Sequence, residues 1–507
     1  MTLPLRFRWI FDIVSEIILF KEDFAMNESL VGREKEVEIL SKAFKSTEAQ
    51  LIAVYGRRRI GKTHLIREFY SDKGLYIQFM GVQDSSSGEQ FANFHDELGS
   101  IFTVWNSSKK PKSWREAFQR LVKSIKQLAE KQRVVLFFDE VPWLSNRSNF
   151  LKALEYSWNQ HFVSMPGIVV VLCGSASSWM IKHVIQNKGG LHGRLTSKLH
   201  LQPFTLLQTE QFLESRGVRL ARKQIVEVYM SVGGVAQYLK AIPPGKSPAQ
   251  AIQEVCFSPQ GLLFREFYPL YRSLFEHSEK YVAVVKALAK HRAGLAKQEI
   301  LDKTALKSGG TSSRMLQELE ESGIISYIPD LGKKKKGGKY RLIDEYSLFY
   351  LHWIENVTSS IITGIDIYHW QKQEQSHDWR VWAGYAFENI CYRHLQQIKR
   401  ALGLAAVNTR ESMWYGMSEN QEYAQIDLVI DRADQCINLC EMKCYSKGFK
   451  VDRKVAQEMQ HKKKVFESAV HPQKTLFTTL ITLDRVSESD YYQSAFDGQI
   501  TLDELFT

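Results

Sequence analysis

The apolar run Leu51-Ile-Ala-Val-Tyr55 leads directly into Gly56-Arg-Arg-Arg-Ile-Gly-Lys-Thr63 and then into His64-Leu-Ile-Arg-Glu-Phe-Tyr70. A short continuous apolar run reads as a buried strand, and the third segment can begin a helix. Gly56 and Gly61 let the backbone curl so that its N–H groups point at phosphate oxygens. Lys62 reaches the terminal phosphates, and Thr63 offers a hydroxyl to Mg2+. The segment reads as a P-loop in its proper strand–loop–helix context. Gly56, Arg57, Arg58, Arg59, Ile60, Gly61, Lys62, Thr63 and His64 are the expected contacts to ATP.

A second nucleotide signature is Val134-Val-Leu-Phe-Phe-Asp-Glu140. The apolar run predicts a central parallel strand, with Asp139 at its end holding Mg2+ through water and Glu140 polarising the attacking water. A third strand is expected at Gly167-Ile-Val-Val-Val-Leu-Cys-Gly-Ser175, where Ser175 is placed to sense a γ-phosphate, with Ser177 and Ser178 as alternatives. Arg194, in Leu191-His-Gly-Arg-Leu195, is a candidate phosphate contact from its own subunit or a neighbour's. Upstream, Leu30-Val-Gly-Arg-Glu-Lys-Glu-Val-Glu-Ile-Leu40 starts an acidic amphipathic helix, and Gly32 and Arg33 are expected near the adenine base. Alternating strands and helices imply a doubly wound parallel sheet followed by a small helical lid.

VGREKE, GRRRIGKT, FFDEVPWL, CGSASSWM, GRLT and GGVAQYL, in this order, resemble the archaeal-type AAA+/STAND ATPase family over roughly residues 28–245. Relatives usually carry Pro where this chain has Ala236, a departure that bears on lid geometry. The resemblance implies ATP binding and hydrolysis.

Residues 280–345 predict helix, turn, helix and a basic hairpin. Thr311 or Ser312 is expected to cap a helix with Met315, Leu316 and Leu319 on its apolar stripe, and Gly323 to end it. Ile324–Ile328 and Tyr340–Ile343 read as strands flanking a Lys333-Lys-Lys-Lys-Gly-Gly-Lys339 tip. This is the winged helix-turn-helix pattern. Its lysines suit a phosphate backbone, and Ser312, Ser313, Arg314 and Gln317 are the recognition-helix candidates. A rigid-connector role is the alternative.

A second chemical signature lies downstream. A turn near residue 434 between Ala424–Asp431 and Cys436–Lys443 would pair Asp427 with Glu441 and put Lys443 on the same face. Two carboxylates and a lysine there can bind a divalent metal, activate water and stabilise a phosphodiester transition state. The arrangement resembles that of the PD-(D/E)XK nucleases, and residues 380–470 resemble the restriction-endonuclease-like domain that commonly ends this ATPase family. The resemblance makes Glu388, on the preceding helix, an additional acid in catalysis and metal binding. The helix Val451–Val465 offers Lys454 and Gln457 as secondary contacts.

The 507-residue length favours several domains. We expect 1–25 as an extension preceding the natural start at Met26, 26–204 as the ATPase core, 205–260 as the lid, 261–360 as the winged-helix domain and 375–507 as the nuclease-like domain. The fold class is α/β multidomain. A net charge of +11 favours an acidic partner such as DNA. Cys436, Cys440 and Cys444 would span about 26 Å along one strand face, too far for one zinc ion. The six cysteines show no disulfide framework, and no apolar run is long enough for a membrane span, so a cytoplasmic setting is expected. The reading is an ATP-driven switch coupled to a DNA-directed, metal-dependent nuclease-like domain. The alternatives are a regulatory scaffold that binds DNA or a protein partner without cleaving, and a sensor that assembles as a homo-oligomer.

Overall fold

The computed structural model describes residues 30–146, 148–186, 189, 191, 193–331, 337–362, 368–374, 376–445 and 449–507. The expectations for residues 1–25 and for the lysines 333–336 lie outside them. The chain divides into two compact units. Among the described residues, one comprises those within 30–54, 61–174 and 184–199, and the other those within 55–60, 175–183 and 200–507.

The first unit is built on strands β1 (Gln50–Tyr55), β2 (Leu75–Met80), β3 (Val134–Asp139), β4 (Ile168–Gly174) and β5 (Ser197–His200). Their order is β2-β3-β4-β1-β5, and the β2–β3 and β3–β4 pairs are parallel. Every residue of β3 and β4 is buried. That explains why both read as continuous apolar runs rather than alternating ones: a parallel sheet is covered on both faces. The longer helices of this unit are α1 (Glu34–Lys45), α2 (Lys62–Tyr70), α3 (Ser87–Ile101), α4 (Trp114–Ala129) and α5 (Phe150–Gln160). Ser86 and Glu89 form a reciprocal capping box on α3, and the Ser113 hydroxyl caps α4. The apolar stripe of α4 sends Trp114 and Phe118 against Phe94 and Phe150, and Phe118 also meets Phe138 of β3.

The second unit opens with α6 (Leu206–Ser215), α7 (Arg222–Val232), α8 (Ala236–Leu239) and α9 (Pro248–Cys256). Ala236 occupies the first position of α8 behind an extended Val235. A proline is tolerated at that position because the N–H there has no intrahelical acceptor, so the turn forms with alanine as well. Next come α10 (Ser278–Ala289), α11 (Lys297–Thr304), α12 (Gly310–Glu321) and the antiparallel hairpin of β6 (Ile325–Ile328) and β7 (Lys339–Leu342). Leu295 adds a bridge to Tyr340. Helix α12 begins after Gly309, earlier than the expected cap at Thr311 or Ser312. It ends as expected: Gly323 has φ +68°, and the Ile324 N–H returns to the Leu319 carbonyl.

After the short helix α13 (Glu345–Phe349) and the long helix α14 (His377–Arg393), the chain forms a second five-stranded sheet. Its strands are β8 (Thr409–Met417), β9 (Tyr423–Arg432), β10 (Cys436–Lys443), β11 (Thr475–Thr482) and β12 (Gly498–Ile500), in the order β12-β11-β10-β9-β8. The β8–β9 and β9–β10 pairs are antiparallel, whereas β10–β11 and β11–β12 are parallel. Helix α15 (Arg453–Val470) connects β10 to β11. One buried apolar cluster runs from Phe204 to Phe506 and includes Leu428, Ile430 and Cys440 of the sheet. The opposite set, with Val429 and Leu439, packs with Val465 and Phe466 of α15. The segments expected as lid, winged helix and C-terminal domain therefore share a core. The apolar face of α14 (Trp382, Phe387 and Ile390) belongs to it and closes the gap between them.

Candidate functional site

In the first unit, Thr63 stands in the first turn of α2 and donates its hydroxyl to Asp139 Oδ2 at 2.7 Å. Asp139 closes β3 and is 1% exposed, so burial pushes its carboxyl above the usual range. The Cys173 thiol, at the end of β4, also hydrogen-bonds Asp139. Burial raises the Cys173 pKa, which keeps the sulfur protonated as a donor. Sequence reasoning missed this thiol, although its place beside Ser175 at the end of an adjacent strand was a usable signal. Glu140 follows in the left-handed region (φ 50°, ψ 50°), where non-glycine residues are rare and often functional. Lys62 is buried at the start of α2, and His64 lies 3.8 Å from Glu68. A buried carboxylate sharing a hydrogen bond with a threonine hydroxyl is the all-oxygen pair a hard divalent cation takes, so these residues fit Mg2+.

In the second unit, the 55–60 limb of the loop is fixed by its surroundings. Gly56 has φ +143°, and a Cβ there would lie 2.3 Å from the Leu201 carbonyl oxygen. The Arg59 carbonyl accepts the Gln237 N–H of α8 at 3.1 Å. The Arg59 guanidinium pairs with Glu266 at 2.9 Å. Arg57 departs from its expected role as a nucleotide contact: its guanidinium is buried in an ion pair with the fully buried Asp344. The pairing spans 287 positions and leaves no local sequence signal. Ile60 is fully buried and Arg58 is partly exposed.

The remaining nucleotide candidates are scattered in character. Gly32 adopts φ +74° and its N–H donates to Glu34, while Arg33 is buried and paired with Glu36 at 3.6 Å. Ser175 is buried one residue past β4, and Ser177 is fully buried. Arg194 is exposed in the turn before β5.

Helix α12 packs against the short helix Ser177–Met180. Of its expected recognition residues, Ser313, Arg314 and Gln317 are exposed. Ser312 is not available: it is buried, and its hydroxyl bonds the Lys307 carbonyl. Helix phase explains the correction, because Ser312 falls on the stripe of Met315, Leu316 and Leu319.

The β9–β10 register runs from Ile437 opposite Asp431 to Cys440 opposite Leu428, and Asp427 and Glu441 follow immediately beyond the paired residues. Both carboxylates are buried, and Asp427 Oδ2 accepts the Met442 N–H at 2.9 Å. Burial, then the charges of Glu441 and Glu388, push the Asp427 pKa up to about 8. Glu441 is held by Lys443 at 2.8 Å and by Lys462, which reaches its two oxygens at 2.9 and 2.8 Å. Burial alone would lower the Lys443 pKa, but Glu441 raises it on balance. Lys462 was missed. Lys454 and Gln457, expected as the secondary contacts, are exposed, and α15 passes Glu441 only two turns further on.

Glu388 is drawn elsewhere: it pairs with the buried Arg341 at 2.8 Å. Among the described residues no three His, Cys, Asp or Glu side chains are grouped to hold a metal ion. The expected Glu388–Asp427–Glu441 cage is therefore corrected to a two-carboxylate pair. Like charge buried between Asp427 and Glu441 is what a divalent cation relieves, and Mg2+ commonly takes only one or two protein carboxylates. The pair fits such an ion; Glu388 does not.

Residues 30–242 match the family described as an ATPase domain predominantly from Archaea. An uncharacterized protein of Methanocaldococcus jannaschii is 24% identical over 406 residues, which cover 79% of this chain and 83% of that protein. An uncharacterized ATP-binding protein of the same organism is 46% identical over 45 residues, covering 9% of this chain and 76% of the relative. Among solved structures, the Walker-type ATPase of Pyrococcus abyssi matches with a TM-score of 0.47 and 19% identity, over 64% of this chain and 97% of that one. Among the described residues no helix is long and apolar enough to cross a membrane.

Proposed function

The chain belongs to the P-loop ATPase family through residues 30–242, and from that premise we propose that it is an ATP-hydrolysing switch whose output is a DNA-directed, nuclease-like C-terminal domain. The observation that carries the first half is the Thr63–Asp139 hydrogen bond at 2.7 Å, which joins the two nucleotide motifs. Gly56–Thr63 binds the triphosphate, Lys62 orients the terminal phosphates and Glu140 polarises the attacking water. A Mg2+ ion held by Thr63 and Asp139 would neutralise charge on the phosphate oxygens.

The second half rests on the buried carboxylates of Asp427 and Glu441, on neighbouring strands, with Lys443 paired to Glu441. Strand order, the preceding α14 and the connecting α15 agree with a restriction-endonuclease-like core. Lys443 positions and stabilises charge on a phosphodiester, and a divalent cation on Asp427 and Glu441 would supply an activated water. The α10–α12 helices and the β6–β7 hairpin read as a winged helix acting as connector, because α12 lies against Ser177–Met180. DNA contact is therefore assigned to the C-terminal domain.

A binding role without cleavage is favoured by one observation: both Lys443 and Lys462 already neutralise Glu441. Nicking of supercoiled plasmid with Mg2+ or Mn2+ separates the two. Nicking by wild type that is lost in the Asp427→Ala/Glu441→Ala double variant supports the nuclease. DNA binding without nicking in either protein supports the scaffold.

A further inference from the structure

We infer that a buried chain of ion pairs centred on residues 341–345 carries the state of the phosphate-binding loop to the Asp427–Glu441 site. The inference rests on the ATP-switch reading above and names the residues through which that switch acts.

Three charged side chains at the end of β7 and the start of α13 tie two other elements together, the phosphate-binding loop and α14. Asp344 takes the buried guanidinium of Arg57 from the loop, and it also caps α13 by accepting the Ser347 N–H at 3.0 Å. Glu345, its neighbour, pairs with Arg393 of α14, whose Nη2 also donates to the Ile343 carbonyl at 2.9 Å. Arg341 pairs with Glu388 of α14 at 2.8 Å, under the ring of Tyr385. Tyr392 of α14 donates its hydroxyl to the Asp427 carbonyl at 2.5 Å. Gly233, from the Gly-Gly motif after α7, adds a steric contact: its φ is +67°, and a Cβ there would lie 2.7 Å from Glu345 Oε2.

The coupling is physical because these charges are buried. The side chains of Arg57 and Asp344 are 3% and 0% exposed, and those of Arg341 and Glu345 are 1% and 3% exposed. A surface pair can part and be solvated by water, but a buried charge that loses its partner has no substitute. When nucleotide shifts residues 56–60, Asp344 must follow Arg57. Glu345 and Arg341 lie within three residues of it and are tied to α14. A displacement at the loop therefore reaches Glu388 and Arg393 without passing through solvent.

Hydrogen–deuterium exchange on the full chain tests this, with ADP, with a non-hydrolysable ATP analogue and without nucleotide. A fluorescent ATP analogue measures binding in parallel. Wild type is expected to show several-fold nucleotide-dependent changes in exchange across residues 388–393 and 427–443. Asp344→Asn, which keeps a cap acceptor, is expected to bind the analogue and lose that distant response. Should Asp344→Asn not fold, Glu345→Gln/Arg393→Gln removes a pair without stranding a charge and should give the same loss. Variants that bind nucleotide and still transmit the wild-type change would overturn the relay. Wild type that binds nucleotide with no distant change overturns the relay alone. Wild type that binds no nucleotide removes the switch reading, and the relay falls with it.

Discussion

Thr63 and Asp139, one from the first turn of α2 and one from the end of β3, share a 2.7 Å hydrogen bond. Asp139 also accepts the Cys173 thiol and the Glu140 N–H, and it is buried with its pKa raised by that burial. Asp139→Asn should therefore keep the fold and lower ATP hydrolysis by about 100-fold or more, the scale of losing one preorganised electrostatic group. Phosphate release at saturating ATP and Mg2+ is the measurement; unchanged turnover contradicts the assignment.

Gly56 and Gly384 should respond oppositely to alanine. At Gly56 the new Cβ would meet the Leu201 carbonyl at 2.3 Å with φ at +143°. The cost should be about 1–3 kcal/mol. Gly384 lies inside α14, and a Cβ there meets nothing within 4 Å. Alanine at that helical position should stabilise by about 0.5–1 kcal/mol. Urea denaturation of the two variants checks both signs.

His394 supplies a pH-dependent contribution. Its Nδ1 donates to the Ile390 carbonyl at 2.7 Å, and its Nε2 accepts the Leu206 N–H at 2.9 Å, which requires a neutral ring. Burial lowers its pKa from 6.5 to about 4. Between those values the unfolded chain holds more protons than the folded one, so acid favours unfolding. The contribution is fully present above pH 6.5 and is lost as pH falls to about 4. Its size is about 3 kcal/mol. The stability gap between wild type and His394→Gln, measured in urea, should narrow over that window; a constant gap would count against it.

Lys462→Met should separate packing from charge at the C-terminal site. Lys462 binds both Glu441 oxygens and is partly buried, so its loss leaves Lys443 as the remaining lysine on that carboxylate. Loss of a partner from a buried charge should cost about 3 kcal/mol or more, and Glu441→Gln in the same chain should recover much of it. A double-mutant cycle in urea reads the coupling; additive effects would mean that the pair contributes little.

What the sequence revealed followed from local pattern. The apolar runs mark β1, β3 and β4, and period-two counting brings Asp427 and Glu441 to neighbouring strands, next to the last paired residues Leu428 and Cys440. Gly323 ended α12 where its chemistry demanded. The missed features are those that tertiary contact decides. Arg57 and Asp344 lie 287 positions apart, so nothing local turns that arginine away from a phosphate role. Glu388 was legible as an acid on α14, but its capture by Arg341 of β7 was not. Lys462 required knowing how far along α15 the helix passes Glu441. The separate domains expected from length proved to share a core because the apolar face of α14 joins helices on one side and β9 and β10 on the other.

Nucleotide bound in the first half should govern DNA engagement by the second. Fluorescence anisotropy of labelled duplex DNA tests it directly, with wild type in ADP, in ATP and without nucleotide, and with Glu140→Gln in ATP to hold the unhydrolysed state. Affinity should differ between the ATP and ADP states, Glu140→Gln should remain in the ATP-state affinity, and Asp427→Ala/Glu441→Ala should remove the difference. The same affinity in all three nucleotide conditions, or no binding in any, would contradict it.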